Sequence, residues 1–243
     1  MNQLTVDQQI IVPLDLPTAE AALALVDSLP QVSFWKVGLE LFISAGPSIL
    51  GELKARDKRI FLDLKLHDIP NTMAGACAAA TRYGVDIMTL HAAAGKAALG
   101  AALAAAQAEA DAHHIPLPLI VAVTLLTSIS AEALSSELRV PLTVGDYALQ
   151  LAQITQEVGL GGVVCSPQEV PHMRQVLSPN FALVCPGVRP TWASANDQQR
   201  TLTPAQALQA GATYLVIGRP ITASPDPAAA FQCICDECTT ALA

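Results

Sequence analysis

Short apolar runs recur along the chain, separated by longer stretches of helical character. The first run, Ile10-Ile11-Val12-Pro13-Leu14-Asp15, leads into a helix with Thr18 as its cap. Phe34-Trp35-Lys36-Val37-Gly38 is a second strand, Ile60-Phe61-Leu62-Asp63-Leu64-Lys65 a third and Ile87-Met88-Thr89-Leu90-His91 a fourth. Leu119-Ile120-Val121-Ala122-Val123-Thr124 is a fifth, and Gly162-Val163-Val164-Cys165-Ser166 a sixth. Ala182-Leu183-Val184-Cys185-Pro186 and Tyr214-Leu215-Val216-Ile217-Gly218 are the last two, and an Ala-rich helix spans about 94–113. Strands that alternate with helices pair in parallel through βαβ units, and eight of them suffice to close a barrel. The expected fold is α/β, a (β/α)8 or TIM barrel, in one catalytic domain over residues 1–243. An open doubly wound sheet is the second choice. It is weakened in its dinucleotide-binding form because no G-x-G-x-x-G follows the first strand.

Composition narrows the function classes. A chain of 243 residues suits one such barrel. The 52% hydrophobic and 14% charged residues imply a large core, built mostly from aliphatic side chains since aromatics make up only 4%. The net charge of −8 and the lack of a basic stripe argue against nucleic-acid binding. An acidic chain still binds phosphate through a few local donors. Six cysteines in a chain of this size do not make a disulfide scaffold. No leader pattern and no apolar run of about 20 residues is visible, so the expectation is a cytoplasmic protein with no membrane partner.

Many strands end in polar residues: Asp15, Lys36, Asp63 with Lys65, His91, Thr124, and Gly218 followed by Arg219. A barrel gathers its C-terminal strand ends at one mouth, where active sites lie. The third strand is the most informative. Side chains alternate across a strand, so Leu62, Leu64 and Leu66 share one face and Asp63 and Lys65 the other. Helices cover the outside of a barrel, which assigns the leucines there and the two charges to the mouth. Charges are rarely buried without a partner or a purpose; a purely structural Asp–Lys pair is the alternative. A second region, Ile217-Gly218-Arg219-Pro220-Ile221-Thr222, offers a glycine for close backbone approach and a guanidinium for phosphate. Phosphate sites in such barrels often follow strands seven and eight. A third, Cys185-Pro186-Gly187-Val188-Arg189-Pro190, precedes a polar stretch from Thr191 to Arg200 without apolar periodicity, read as a long loop of the kind that closes over ligands. Arg189 and Gln198 are its candidate contacts, and a merely solvated loop is the alternative.

The run from Phe61 to Thr72, Phe-Leu-Asp-Leu-Lys-Leu-His-Asp-Ile-Pro-Asn-Thr, closely resembles the defining motif of the orotidine 5'-monophosphate decarboxylases. Lys36 to Phe42, Val123 to Ser128, Pro186 to Arg189 and Gly218 to Thr222 resemble the bacterial members in the same order. The Asp-x-Lys-x-x-Asp core is shared with sugar-phosphate relatives, and the extension through Ile69-Pro70-Asn71-Thr72 is more specific. Cys185 departs from the threonine usual before Pro-Gly. The closing Cys233, Cys235 and Cys238 are not a family feature, and their spacing is a poor metal motif.

The resemblance implies decarboxylation of orotidine 5'-monophosphate to UMP in pyrimidine nucleotide biosynthesis, with no cofactor and no metal. It assigns Lys65, Asp63, Asp68 and Lys36 to catalysis, with Lys65 as proton donor to C6. Asp15 and Lys36 are expected at the ribose hydroxyls, Thr72 on the ribose side and Thr127 on the pyrimidine side. Asp63 also faces the substrate, and Arg189, Gln198, Gly218 and Arg219 are expected to grip phosphate. It further implies a homodimer with shared active sites, in which Asp68 and Thr72 reach across the two-fold axis. Two competing functions remain. One is a metal-dependent sugar-phosphate decarboxylase or aldolase, disfavoured by Lys36, which would repel the ion. The other is a non-catalytic nucleotide-binding protein, disfavoured by a charge array that binding alone does not need.

Overall fold

A computed structural model describes residues 4–192 and 202–242. Eight parallel strands form a closed barrel in sequence order: β1 Ile10–Pro13, β2 Phe34–Gly38, β3 Arg59–Leu66, β4 Ile87–His91, β5 Leu119–Val123, β6 Gly162–Val164, β7 Ala182–Pro186 and β8 Tyr214–Val216. β8 pairs with β1 through Ile10 opposite Leu215 and Ile11 opposite Val216, which rules out the open sheet. Strands two, four and seven have the bounds expected from sequence. β1, β5, β6 and β8 stop one or two residues early, because their terminal residues already turn toward the loops at the mouth.

Alternation along the strands builds two layers. Ile11, Phe34, Phe61, Ile87, Val121, Val184 and Tyr214 fill the barrel interior. The larger layer, between strands and helices, takes the alternate residues, among them Ile10, Val12, Trp35, Ile60, Leu62, Met88 and Leu90. Inside, the Phe34 and Tyr214 rings meet edge to face at 5.8 Å, a favoured arrangement. The Arg59 guanidinium lies 4.0 Å from the centre of the Phe34 ring, closing the barrel at the N-terminal ends of its strands.

The helices follow local chemistry. Thr18 caps the helix Ala19–Ser28 by accepting from Ala21 N–H at 3.2 Å, as expected of a threonine in that position. Pro70 opens the helix Pro70–Arg82, where its missing N–H costs nothing. The Ala-rich helix runs Gly95–His113 and buries Ala98, Ala102, Ala106 and Ala110. Their four-residue spacing puts them on one face, and small side chains let the neighbouring helix approach closely.

Candidate active site

The strand ends bring four charges into one chain of contacts. Lys36 Nζ lies 3.0 Å from Asp15 Oδ1 and 3.6 Å from Asp63 Oδ2. Lys65 Nζ donates to both Asp63 oxygens at 2.9 Å. The order Asp15–Lys36–Asp63–Lys65 therefore alternates in sign. Its centre is the most enclosed part: the side chains of Lys36 and Asp63 are 12% and 11% exposed, against 62% for Asp15.

The expected division of β3 holds. Leu62, Leu64 and Leu66 pack in the outer layer, while Asp63 and Lys65 face the mouth. The strand is nevertheless not regular. Its register with β4 shifts between Leu62 and Leu66, and Lys65 has φ of +51°. That left-handed conformation is strained for a residue with a Cβ. It takes the Lys65 N–H out of the ladder, and Thr89 Oγ1 accepts it at 2.8 Å. Bulges of this kind re-aim side chains and are frequent beside active sites.

Three residues at the site carried no assignment from sequence. Thr89, buried at 1% exposure, also donates to Asp63 Oδ1 at 3.1 Å. Gly38 gives room to the first pair: a Cβ there would stand 2.8 Å from Lys36 Nζ and 3.4 Å from Asp15 Oδ1. His91 stacks on His67 with ring centres 5.2 Å apart, and its buried Nδ1 has no hydrogen-bond partner among the described residues. Burial, then the neighbouring His67 and Lys65, lowers its pKa below the usual histidine value. The composition of the strand ends hinted at His91, but pairing across strands was needed to see Thr89 and Gly38.

Other expected residues fall into place unevenly. Asp68, expected to reach across the two-fold axis, makes no ion pair with Lys36 or Lys65 of its own chain. It is exposed and accepts from the Ile69 N–H at 2.6 Å. The reason is positional: β3 ends at Leu66, so Asp68 sits in the outward turn. Thr72 is exposed on the first turn of the helix Pro70–Arg82, and Thr127 is exposed in the loop after β5. Thr124, expected at the mouth, instead spends its hydroxyl on Val164 O at 3.1 Å, extending the β5–β6 pairing. Gly218 and Arg219 line a cavity of about 440 Å³ with Asp15, Pro13 and Leu16, so the β8 end and the β1 end share one opening. Gly218 has no left-handed backbone; its need is space, since a Cβ would meet Pro13 Cγ at 3.0 Å. Gly187, at φ +76°, makes the turn that leads from β7 to Arg189. The Arg189 N–H donates to Leu202 O at 3.0 Å, tying the segment after β7 to the one that leads into the helix Pro204–Gln209. Gln198 and the stretch from 193 to 201 lie outside the described residues.

The cysteines are packing residues or isolated thiols. Cys235 and Cys238 are buried in the helix Pro227–Leu242 and Cys233 is exposed. Burial pushes the thiols of Cys235 and Cys238 up to about 12, which opposes the thiolate that metal binding requires. Among the described residues no group of three or more His, Cys, Asp or Glu is placed to hold a metal ion. Cys185 is buried with its sulfur 4.0 Å from that of Cys165. No helix among the described residues is long and apolar enough to cross a membrane.

With this geometry in view, the sequence matches the orotidine 5'-phosphate decarboxylase / HUMPS family over residues 8–234. It is 58% identical over 232 residues to the orotidine 5'-phosphate decarboxylase of Gloeothece citriformis, covering 96% of this chain and 98% of that one. It is 58% identical over 236 residues to the protein of that name from a Nostoc species, with 97% and 99% covered. Among solved structures, the crystal structure of orotidine 5'-phosphate decarboxylase from Lactobacillus acidophilus superposes with a TM-score of 0.84 at 36% identity, covering 94% of this chain and 98% of that one.

Proposed function

The chain belongs to the orotidine 5'-phosphate decarboxylase / HUMPS family, and from that premise we propose that it decarboxylates orotidine 5'-monophosphate to UMP without a cofactor, using Lys65 as the proton donor. The observation that carries this reading is the alternating Asp15–Lys36–Asp63–Lys65 chain at the barrel mouth, with Lys65 held against both Asp63 oxygens.

The chemistry requires such an arrangement. When the bond from C6 to the carboxylate carbon breaks, the electron pair stays at C6 in the plane of the ring. The π system does not take it up, so the surroundings must stabilise it electrostatically. The Lys65 ammonium stabilises the charge and donates a proton to C6, leaving CO2 and UMP; the neutral amine then recovers a proton from solvent. Asp63 orients that ammonium and sets a negative charge beside the departing carboxylate. Lys36 holds the other side of Asp63 and, with Asp15, faces the ribose hydroxyls. Thr127 is assigned to the pyrimidine, Thr72 to the ribose, and Arg189, Gln198, Gly218 and Arg219 to phosphate. Binding energy from phosphate, distant from C6, then supports the chemical step.

The same geometry speaks against the metal-dependent relatives. The Asp63 carboxylate already has two ammonium groups within 3.6 Å, so a divalent cation there would meet like charge.

The active form proposed is a cytoplasmic homodimer with shared sites. Its supports are the separation of Asp68 from the array in its own chain, and exposed apolar residues that follow β2 and β3 in sequence: Leu39 at 50%, Ile43 at 78% and Ile69 at 67% exposure. Patches of this kind mark interaction surfaces. The test of function is loss of orotidine monophosphate absorbance with purified protein, with and without EDTA. Turnover is expected to be unchanged by EDTA. Activity that disappears with EDTA and returns with Mg2+ would establish the metal-dependent alternative.

A further inference from the structure

We infer that Thr89 is a positioning residue for the reaction, the neutral link that fixes both the strained backbone of Lys65 and the carboxylate of Asp63; the inference rests on the roles proposed above for those two residues. It follows from what the bulge in β3 leaves over. Between Leu62 and Leu66 the pairing with β4 is out of register, so the Lys65 N–H has no ladder acceptor. Buried N–H groups almost always find a partner, and this one finds the Thr89 hydroxyl at 2.8 Å.

A hydroxyl has one proton to give. Because Oγ1 is occupied as an acceptor toward Lys65 N–H, its proton is directed to Asp63 Oδ1, 3.1 Å away. The carboxylate is acceptor-only when ionised, and the amide is donor-only, so the direction of both bonds is fixed. One buried oxygen thus ties the backbone of the proton donor to the side chain that orients the donor's ammonium. The other side-chain partners of Asp63 among the described residues are the Lys65 and Lys36 ammonium groups, at the ends of flexible side chains. Thr89 instead sits on β4, inside the barrel wall, with Ile87 below it in the packed interior. It is the rigid contact of the set. Threonine suits the role because its Cβ is branched and its rotamer restricted. Misplacement of a reacting group by about 1 Å costs on the order of a hundredfold in rate.

The test is steady-state kinetics of Thr89→Val, Thr89→Ser and Thr89→Cys beside the parent and Lys65→Ala, with folding followed by circular dichroism. Valine keeps the shape and removes both hydrogen bonds, so kcat is expected to fall about ten- to a hundredfold with KM changed much less. Serine keeps the hydroxyl and is expected to restore kcat to within a few-fold of the parent. Cysteine, a poor donor and acceptor, should fall between them, and it decides the matter if the valine protein does not fold. A folded Thr89→Val or Thr89→Cys protein with parental kcat, or a serine variant as slow as the valine one, would overturn the inference. An inactive parent, or an active Lys65→Ala, would instead overturn the proposed function.

Discussion

The inner face of β3 carries charge at both ends, and the two ends are built differently. At the N-terminal end, Arg59 stacks on Phe34 at 4.0 Å. Beside it, Asp86 accepts from Lys54 Nζ at 2.8 Å and from the Ile60 N–H at 2.8 Å. Asp86 thereby serves strand and helix at once, and Phe34, Trp35 and Lys36 pair with β3 in unbroken register. At the C-terminal end, Lys65 is strained at φ +51° and the pairing with β4 is broken. There the charges form a chain in which each central member touches two of opposite sign. Charge at a strand end is therefore not in itself a sign of chemistry. Strain combined with an enclosed alternating array is, because such an arrangement destabilises the fold locally and persists where function holds it.

The largest effect that would sharpen this contrast concerns Asp68, the charge at the mouth that its own chain leaves outside the array. Lys65→Ala and Asp68→Ala homodimers should each be nearly inactive. A hybrid dimer would hold one doubly damaged and one intact site. Refolding an equal mixture should give about half hybrids and so about a quarter of parental activity, if subunits pair at random. A mixture showing only the average of the two mutants, with subunit exchange verified, would place Asp68 in its own subunit's site.

Next in size is Arg219→Ala. It should weaken the reaction of the intact nucleotide far more than that of an analogue lacking phosphate, as comparison of kcat/KM for the two substrates will show. Equal losses would remove Arg219 from the phosphate site.

A smaller effect concerns a buried carboxylate outside the array. Among the described residues, Glu169 has no cation partner of the kind that flanks Asp63. Burial raises its pKa to about 7, opposed by the hydrogen bond from Ser166 N–H. The folded state then binds the extra proton between the ordinary value of 4.5 and about 7, so stability from this group falls as pH rises through that window. Glu169→Gln should raise the melting temperature by several degrees at pH 8 and by little at pH 4.5. An equal change at both pH values would contradict the raised pKa.

The smallest effect belongs to the opposite end of the strand. Arg59→Met should lose about 1 kcal/mol of cation–π and polar contact, lowering the melting temperature by roughly 2–4 °C while kcat stays within about twofold. A large drop in kcat without unfolding would erase the distinction between the ends.

Much of this was legible in the sequence, for identifiable reasons. Strand positions followed from apolar runs such as Ile87 to His91, and closure from their number. Asp63 and Lys65 were readable because two-residue alternation with Leu62, Leu64 and Leu66 survives the bulge. The bulge itself was not readable: nothing in Leu64-Lys65-Leu66 demands positive φ, which only the pairing with β4 reveals. Thr89 and Gly38 were hidden for a related cause. Their significance lies in partners distant in sequence, Asp63 for Thr89 and Asp15 for Gly38, and no single-residue pattern announces a hydroxyl shared between an amide and a carboxylate. Thr124 shows the converse, a polar strand end whose hydroxyl serves a neighbouring carbonyl.

The claim on which the rest depends is that the strained end of β3 performs the chemistry through Lys65. Its most direct test is turnover of orotidine monophosphate by Lys65→Ala, with UMP affinity measured on the same protein. Near-complete loss of turnover with UMP binding largely intact is the expected result. Residual turnover within about tenfold of the parent, equivalent to only ~1.4 kcal/mol of barrier, would contradict the assignment of Lys65 as the proton donor.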